Sequence, residues 1–177
     1  MRSGTRVVSI SDICERANVS RPTFYRCFED KAALVHSLYQ DAVNRPIEEI
    51  ILEQLPARGA DKAWLRGSLD AVFDAIFAQH RMALWLYTES SDRTSMAYEI
   101  IDGTFEQAAT LLESWLFPAG CAPPHARTVF KSVMAACQWI ARDAMERELT
   151  PEARDNAKRA AWVLVEGVLD TVRPKAP

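Results

Sequence analysis

Apolar side chains recur along the chain at the three- and four-residue spacing of amphipathic helices, whereas the alternation typical of strands is nearly absent. After Ser9, for example, Ile10, Ile13, Cys14 and Ala17 fall on one helical face. The same spacing returns through the second half of the chain, and no low-complexity linker interrupts it. The pattern therefore predicts an all-α protein with a small helical head and a larger helical bundle behind it.

Polar residues with capping chemistry mark where these helices begin. Ser9 and Asp12 have the spacing of a capping box, in which each side chain accepts a hydrogen bond from a free backbone N–H of the first turn. Ser20 is predicted to cap the next helix, and Pro22 stands in its first turn, where a missing N–H does no harm. Later helices are predicted to begin at Asp30, Asp61 and Thr150.

The pattern also indicates how the chain is divided. A long helix is expected from Asp30 to Leu55, and residues 56–59, which begin with proline and end with glycine, are predicted to break it. The predicted domains are a head formed by residues 1–45 and a helical domain formed by residues 46–177. The head carries seven basic and five acidic side chains (net +2), and the remainder carries 14 basic and 19 acidic (net −5). A basic head on an acidic body fits contact with DNA through one end.

Residues 9–31 contain the pattern that points to a function. Two short helices are expected to meet through a tight corner at residues 18–20, with Val19, Phe24 and Phe28 as an apolar plug between them. The exposed side of the second helix then carries hydrogen-bond donors and a rigid aromatic ring, which are groups that can bind phosphates and base edges. These exposed residues are Arg21, Pro22, Thr23, Tyr25 and Arg26.

Residues 9–31 resemble the helix-turn-helix of the TetR (tetracycline-repressor-like) family of transcription regulators. That pattern has a Ser/Thr cap, Asp-Ile, Ala, Val-Ser, Thr, an aromatic or Leu, Tyr, Phe and a following Lys in fixed register. The rest of the chain agrees with the family in architecture alone. The matching positions are Ser9, Asp12, Ile13, Ala17, Val19, Ser20, Thr23, Phe24, Tyr25, Phe28 and Lys31.

The resemblance implies how the head contacts DNA. The start of the second helix would enter the major groove, and the residues beside it would hold the phosphate backbone. Asn18 replaces the usual Gly of the corner, and Cys27 stands where the family most often has His, so one phosphate contact would be missing. The implied DNA-binding residues are Ser20, Arg21, Pro22, Thr23, Tyr25, Arg26 and Lys31.

The start of the chain departs from the family pattern. Family members carry a complete helix before this motif, and that helix usually ends at a Gly. Gly4 would be that Gly, with only Met1–Ser3 before it, so the first helix is expected to be missing. A sequence that begins too late is the favoured explanation; a trimmed disordered end and a real loss are the others. The chain as given is therefore expected to bind DNA poorly or to have a loosened head.

For residues 46–177 the resemblance implies a ligand-binding and dimerisation domain. A small apolar or amphipathic ligand would lie among the middle helices, and the last two helices would form a homodimer with a second copy. Small and apolar residues line one side of the final helix, which fits an interface, although the same stripe also fits core within one chain. The candidate ligand-binding residues are Trp85, Tyr98, Gln107, Gln138 and Trp139.

These features together predict a ligand-responsive, DNA-binding regulator, with repression as the family's usual mode. A dimer would bind a palindromic operator, and a small molecule would release it by moving the helix expected from Asp30 to Leu55. The alternative is a helical ligand-binding dimer that has lost DNA binding. It would lack the salt-sensitive DNA affinity of a true regulator.

Other classes of protein lack support in the sequence. We find no nucleophile elbow, HExxH, P-loop or dinucleotide-binding glycine motif, so no enzyme, catalytic residue or cofactor is predicted. No apolar run is long enough for a signal peptide or a membrane span, so a cytoplasmic protein without membrane contact is expected. The four cysteines do not form metal-ligand spacings with one another or with histidines, so we predict no metal site and interpret them as buried free thiols: Cys14, Cys27, Cys121 and Cys137.

Overall fold

The computed structural model describes residues 9–59, 61–117 and 121–172, and within these ranges it is helical without strands, which confirms the all-α prediction. The prediction about a missing first helix falls on residues 1–8, which lie outside the described part. The helices are α1 (Ile10–Ala17), α2 (Arg21–Cys27), α3 (Lys31–Tyr39), α4 (Arg45–Ile47), α5 (Leu55–Arg58), α6 (Lys62–Ala78), α7 (His80–Glu89), α8 (Met96–Leu116), α9 (Ala126–Glu146) and α10 (Pro151–Val172).

The chain forms two compact units, Met1–Ser37 and Leu38–Pro177. This division comes earlier than the boundary that we predicted after residue 45. The reason is burial: Tyr39, Ala42 and Val43 are buried and belong to the second unit. The predicted assignment of functions to residues 1–45 and 46–177 stays a prediction.

The capping residues lie where the sequence pattern predicted them. The Ser9 N–H donates to Asp12 Oδ2 at 2.9 Å and the Asp12 N–H donates to Ser9 Oγ at 3.2 Å, which completes the capping box of α1. Asp61 accepts from the Trp64 N–H at 3.0 Å at the start of α6. Thr150 accepts from the Ala153 N–H at 3.2 Å at the start of α10. Each cap satisfies a backbone donor that the helix itself cannot satisfy.

The helix that begins with α3 widens on both sides of Pro46. Residues Gln40–Asn44 and Glu48–Leu52 form π-helical turns, here called the first and second wide turns. The Arg45 N–H donates to the Gln40 carbonyl and the Glu53 N–H donates to the Glu48 carbonyl, five residues back in each case. Pro46 has no N–H for the carbonyl four residues earlier, and its ring crowds that carbonyl, so a regular α-helix cannot run through this point. Wide turns of this kind are frequent at functional sites.

The predicted break at residues 56–59 is wrong in its first part. Leu55–Arg58 form the short helix α5, with Pro56 in the first turn, where its missing N–H has no helical partner to lose. The preceding helical segment ends at the turn formed by Glu53 and Gln54, and the chain turns again at Gly59, which is buried. A Cβ atom on Gly59 would collide with the indole ring of Trp115 and would lie 2.7 Å from the Leu55 carbonyl oxygen. This glycine therefore allows α5 to approach α8 closely.

In the second unit, α9 packs against α7, α8 and α10, and α6 packs against α7, α10 and the second wide turn. The predicted apolar stripe of α6 is largely buried. On α8, Leu111 follows the helical spacing of apolar residues but is exposed, because this spacing identifies an apolar face and not how much of it neighbours cover. The buried core joins α5, α6, α8, α9 and α10 through Leu55, Leu65, Ala109, Leu116, Phe117, Ala126, Phe130, Trp162 and Leu169.

Candidate nucleic-acid interface and ligand cavity

The two short helices of the first unit meet at a corner that backbone hydrogen bonds hold. Asn18 adopts the left-handed conformation (φ 52°, ψ 44°), and the Val19 N–H donates to the Cys14 carbonyl at 3.0 Å. An Asn side chain tolerates this conformation better than most, so it replaces a glycine here. Ser20 then caps α2 by accepting from the Thr23 N–H at 3.2 Å. The corner therefore fixes where α2 begins and which side it presents.

A chain of polar contacts runs along the start of α2. The hydroxyls of Ser20 and Thr23 are hydrogen bonded at 2.8 Å, and Arg26 Nη2 donates to Thr23 Oγ1 at 3.5 Å. These contacts restrain a cation and two hydroxyls on one side of the helix. The α2 side chains that are exposed are Arg21, Pro22, Tyr25, Arg26 and Cys27, together with the capping Ser20, while Thr23 is half-buried.

Phe24 is the buried anchor behind this surface. Its ring contacts Tyr25 edge-on, with centroids 5.5 Å apart, and lies 5.6 Å from the ring of Phe28. Val19, predicted as part of the same plug, is 40% exposed, and Ala17, predicted on the apolar face of α1, is also exposed. The left-handed conformation of Asn18 turns the chain so that its neighbours Ala17 and Val19 are exposed. In the described part of this unit, the apolar contacts behind α2 are therefore those of the aromatic rings.

Lys31, the last of the predicted DNA-binding residues, is half-buried at the first position of α3. Asp30 precedes it and accepts from the Ala33 N–H at 2.8 Å. A cation beside the positive end of a helix dipole is unfavourable unless an anion approaches it. The Asp30 carboxylate supplies that anion within the chain, so Lys31 can stand beside it at this helix end.

The second unit encloses a cavity of about 260 Å³, here called the central cavity. Apolar side chains of the two wide turns, α6, α8, α9 and α10 supply most of its wall. The polar groups that reach it are few. They are Tyr39, Asn44, Glu48, Tyr87, Thr104, Gln107, Cys137 and Gln138.

Three of these polar groups lie close together. Burial raises the pKa of Tyr39 to about 12, and the nearby side chain of Thr104 has a smaller, lowering effect. Burial also raises the pKa of Tyr87, with a smaller effect from Tyr39 and Cys137, whose charges would repel a phenolate there. Burial raises the pKa of the Cys137 thiol to about 11. All three groups are therefore uncharged at neutral pH.

Asn44 holds the first wide turn through its side-chain amide. Its Nδ2 donates to Gln40 Oε1 and to Glu48 Oε1, both at 2.9 Å. Because the Glu48 carboxylate can only accept, the amide nitrogen must face it. The residue is buried, and its side chain ties the cavity wall to the turns on either side of Pro46.

A second, open cleft of about 750 Å³ lies between the α7–α8 connection, α8 and α9. Lys131 crosses it with an ion pair to Asp102 at 3.0 Å, and Gln138 Nε2 donates to Ser90 Oγ at 3.0 Å. The cleft meets the central cavity at side chains common to both walls: Tyr87, Phe105 and Gln138.

The structure separates the five predicted ligand-binding residues. Gln107 and Gln138 line the central cavity, whereas Tyr98 and Trp139 line the cleft. Trp85 is 39% exposed and lines neither space. The sequence analysis missed Tyr39, Asn44 and Tyr87 as lining residues. An isolated polar residue on the apolar face of a long helix, as at position 44, is the signal that identifies such a position.

The solvent side of the last two helices carries apolar groups. On α10, Val163 is 67% exposed and Leu164 and Ala160 are exposed as well, and on α9 Trp139 is 65% exposed. Gly167 lies one turn beyond Val163, and a Cβ atom there would meet nothing within 4 Å. The outer side of α10 is therefore a smooth apolar stripe within the described chain.

The described residues offer little for other kinds of site. The described residues contain no group of three or more His, Cys, Asp or Glu that could hold a metal ion. Cys27 and Cys121 are exposed, so the interpretation of four buried thiols is wrong for these two. Among the described helices, none combines the length and apolar character that crossing a bilayer requires.

Comparison with known proteins places the head in a family. Residues 1–38 match the family model described as "Bacterial regulatory proteins, tetR family". This range contains α1, α2 and most of α3, including all of the predicted DNA-binding residues. No curated protein and no solved structure matches the chain.

Proposed function

Because the chain belongs to the tetR family of bacterial regulatory proteins and is thus a DNA-binding transcription regulator, we propose that it acts as a ligand-controlled repressor. A homodimer would bind a palindromic operator in the cytoplasm, and a small molecule would release it. The observation that carries the proposal is α2, whose donors face outward while Phe24 anchors it from behind.

The proposed DNA contacts use the exposed side of α2. Arg21, Pro22 and Thr23 would meet base edges in the major groove. Tyr25 and Lys31 would contact phosphates, and Arg26 would add a further cationic contact. Ser20 caps the helix with its oxygen, and its hydroxyl proton remains available to donate to a phosphate when Thr23 donates to it.

The proposed dimer uses the outer side of α9 and α10. A monomer rarely leaves a contiguous apolar stripe in water, and small residues such as Ala160 and Gly167 permit the close approach of a second helix. In a two-fold dimer each copy would present the same stripe to the other. Two recognition helices about one DNA turn apart would then read a palindrome.

The proposed ligand response involves the central cavity and the two wide turns. A ligand changes an equilibrium only if it binds one state more tightly than the other. The wide turns form part of the cavity wall and continue the helix that begins with α3, so a ligand touching them would favour one backbone state of that helix.

DNA binding is tested with a duplex selected from a random pool by the chain itself. Anisotropy at several salt concentrations gives the affinity and its salt slope. Arg21→Ala is expected to cost about 1–3 kcal/mol and to relax base specificity, whereas Lys31→Ala is expected to lower the salt slope by about one. Arg81→Ala, which removes an exposed cation from α7 in the second unit, is the matched control and should change neither.

Two results would contradict this proposal. Salt-insensitive or absent DNA binding would favour the alternative, a ligand-binding dimer without a DNA role. An equal loss of affinity in Arg81→Ala and Arg21→Ala would show that charge anywhere on the protein, rather than the side of α2, determines binding.

A further inference from the structure

We propose that the central cavity accepts an uncharged, mostly apolar molecule of about ten non-hydrogen atoms that takes a hydrogen bond from the Tyr87 hydroxyl. The inference deepens the proposed ligand response and rests on it for its regulatory meaning. Ligand binding is measured without DNA, so the ligand assignment and the proposed control of DNA binding can fail independently.

The volume sets the size of the occupant. A cavity of roughly 150 Å³ holds one benzene molecule, so the 260 Å³ here corresponds to about ten non-hydrogen atoms. Such a molecule fills the space between the second wide turn, Phe73 on α6 and Phe130 on α9. An apolar wall of this kind favours hydrocarbon over water.

The Tyr87 hydroxyl is a polar group of the cavity wall that forms no hydrogen bond within the described chain. Tyr87 is 5% exposed, and no described residue forms a hydrogen bond with its hydroxyl. No buried side-chain nitrogen or oxygen of the described residues is sealed without a partner, so this hydroxyl is open to the space that Tyr87 lines, where the central cavity meets the cleft. Tyr39, in contrast, has the side chain of Thr104 close enough to its hydroxyl to lower its pKa, although burial has the larger, opposite effect. A ligand that covered this hydroxyl without offering an acceptor would leave a buried donor unsatisfied, which is costly, so an acceptor on the ligand would stabilise the complex.

The charge of the wall argues against an ionic ligand. Among the described residues that line the cavity, Glu48 alone carries a charge, and it is exposed and already accepts from Asn44. An anion would find a carboxylate and no cation, and burying it without a counter-charge is costly. A cation would have to stay at the exposed carboxylate and could not also fill the apolar interior.

The thiol of Cys137 does not make the cavity a covalent trap. Burial raises its pKa to about 11, and the thiolate is the form that attacks electrophiles. The proposed ligand is therefore held by packing and by one hydrogen bond.

Four probes with nine non-hydrogen atoms each separate the effects of packing, hydrogen bonding and charge on affinity. They are acetophenone (neutral acceptor), α-methylstyrene (no acceptor), benzoate (anion) and α-methylbenzylamine (cation). Calorimetric titration of the full chain gives each affinity. Acetophenone is expected to bind about tenfold more tightly than α-methylstyrene, a difference that one hydrogen bond supplies. The two ions are expected to bind more weakly than α-methylstyrene.

The Tyr87→Phe variant removes one hydroxyl and keeps the ring. It is expected to abolish the preference for acetophenone while leaving the affinity for α-methylstyrene unchanged. Tyr98→Phe, whose ring lines the cleft and not the central cavity, is the matched control and should keep the preference. An unchanged affinity for α-methylstyrene also shows that Tyr87→Phe has folded.

Several results would overturn the inference: no binding of any probe, tighter binding of either ion than of acetophenone, or a preference that survives Tyr87→Phe. A melting temperature of Tyr87→Phe well below that of the parent protein would contradict it too, because loss of an unpartnered hydroxyl should not destabilise the fold. If acetophenone binds as expected but leaves DNA affinity unchanged, the ligand assignment stands and the proposed regulatory response fails.

Discussion

Replacing Gly167 with arginine tests the proposed dimer at the centre of the apolar stripe of α10. Positions 160, 164, 167 and 171 follow one another at helical spacing, so a side chain at 167 projects beside Ala160 and Leu164. In the described chain this position is exposed, and a Cβ atom there meets nothing within 4 Å. The arginine therefore has room in the monomer and displaces no neighbour.

The expected effects on folding and on association have opposite signs. Gly to Arg inside an exposed helix raises the free energy of unfolding of the monomer by about 0.5–1 kcal/mol, since glycine is a poor helix former. In a two-fold dimer both copies carry the substitution, and each places an unpaired cation against an apolar surface. Two such charges at about 3 kcal/mol each, the low end for a buried unpaired charge, raise the dissociation constant of the dimer by roughly ten-thousandfold.

Sedimentation velocity across a dilution series measures this dissociation constant. Gly67→Arg is the matched control, because Gly67 is also exposed in the interior of a long helix, α6, and also faces open space. The control should gain the same helix stability and keep the parent's self-association. A dimer that persists in Gly167→Arg, or that is lost equally in Gly67→Arg, would refute the assignment of the interface to α10.

Two further predictions concern stability. Gly59→Ala is expected to lower the free energy of unfolding by about 1–3 kcal/mol in urea titrations, because its methyl group collides with Trp115, whereas Gly67→Ala should raise it slightly; equal effects would contradict the close approach of α5 to α8. The pKa of Cys137 is raised from 9.0 to about 11 in the folded state, so its contribution is complete below about pH 9 and is lost as the pH rises towards 11. Between about pH 8 and about pH 10 the parent protein should therefore lose about 1.4 kcal/mol more than Cys137→Ala, and identical losses would contradict the burial of this thiol.

Local chemistry explains what the sequence predicted well. A capping side chain and the backbone N–H that it satisfies lie three residues apart, so Ser9, Asp61 and Thr150 could be identified without tertiary information. The helix-turn-helix is similar: its corner and its aromatic anchor Phe24 all fall within residues 9–31. The same short range makes the family pattern visible in the sequence.

Features that depend on several helices were predicted less well. The pattern indicates that Trp85 and Trp139 are apolar, but not whether a neighbouring helix covers them, and both are exposed. The central cavity brings Tyr39, Tyr87 and Cys137 together from three different helices, and their sequence spacing carries no sign of this meeting. The early division at Ser37 also depends on burial by distant helices, which periodicity along one helix does not report.

The two wide turns connect the chemistry of the cavity with the helix that continues from α3. Pro46 prevents a regular α-helix, and the side chain of Asn44 compensates by joining the turn before Pro46 to Glu48 at the start of the turn after it. Asn44 and Glu48 also line the cavity, so a molecule that fills it contacts the groups that hold this backbone. Because a packed wall has a few discrete arrangements and is not continuously deformable, occupancy of the cavity should select one of them. Asn44→Ala should therefore weaken any coupling between ligand and DNA binding more than it weakens ligand binding, and equal losses of both would contradict this role.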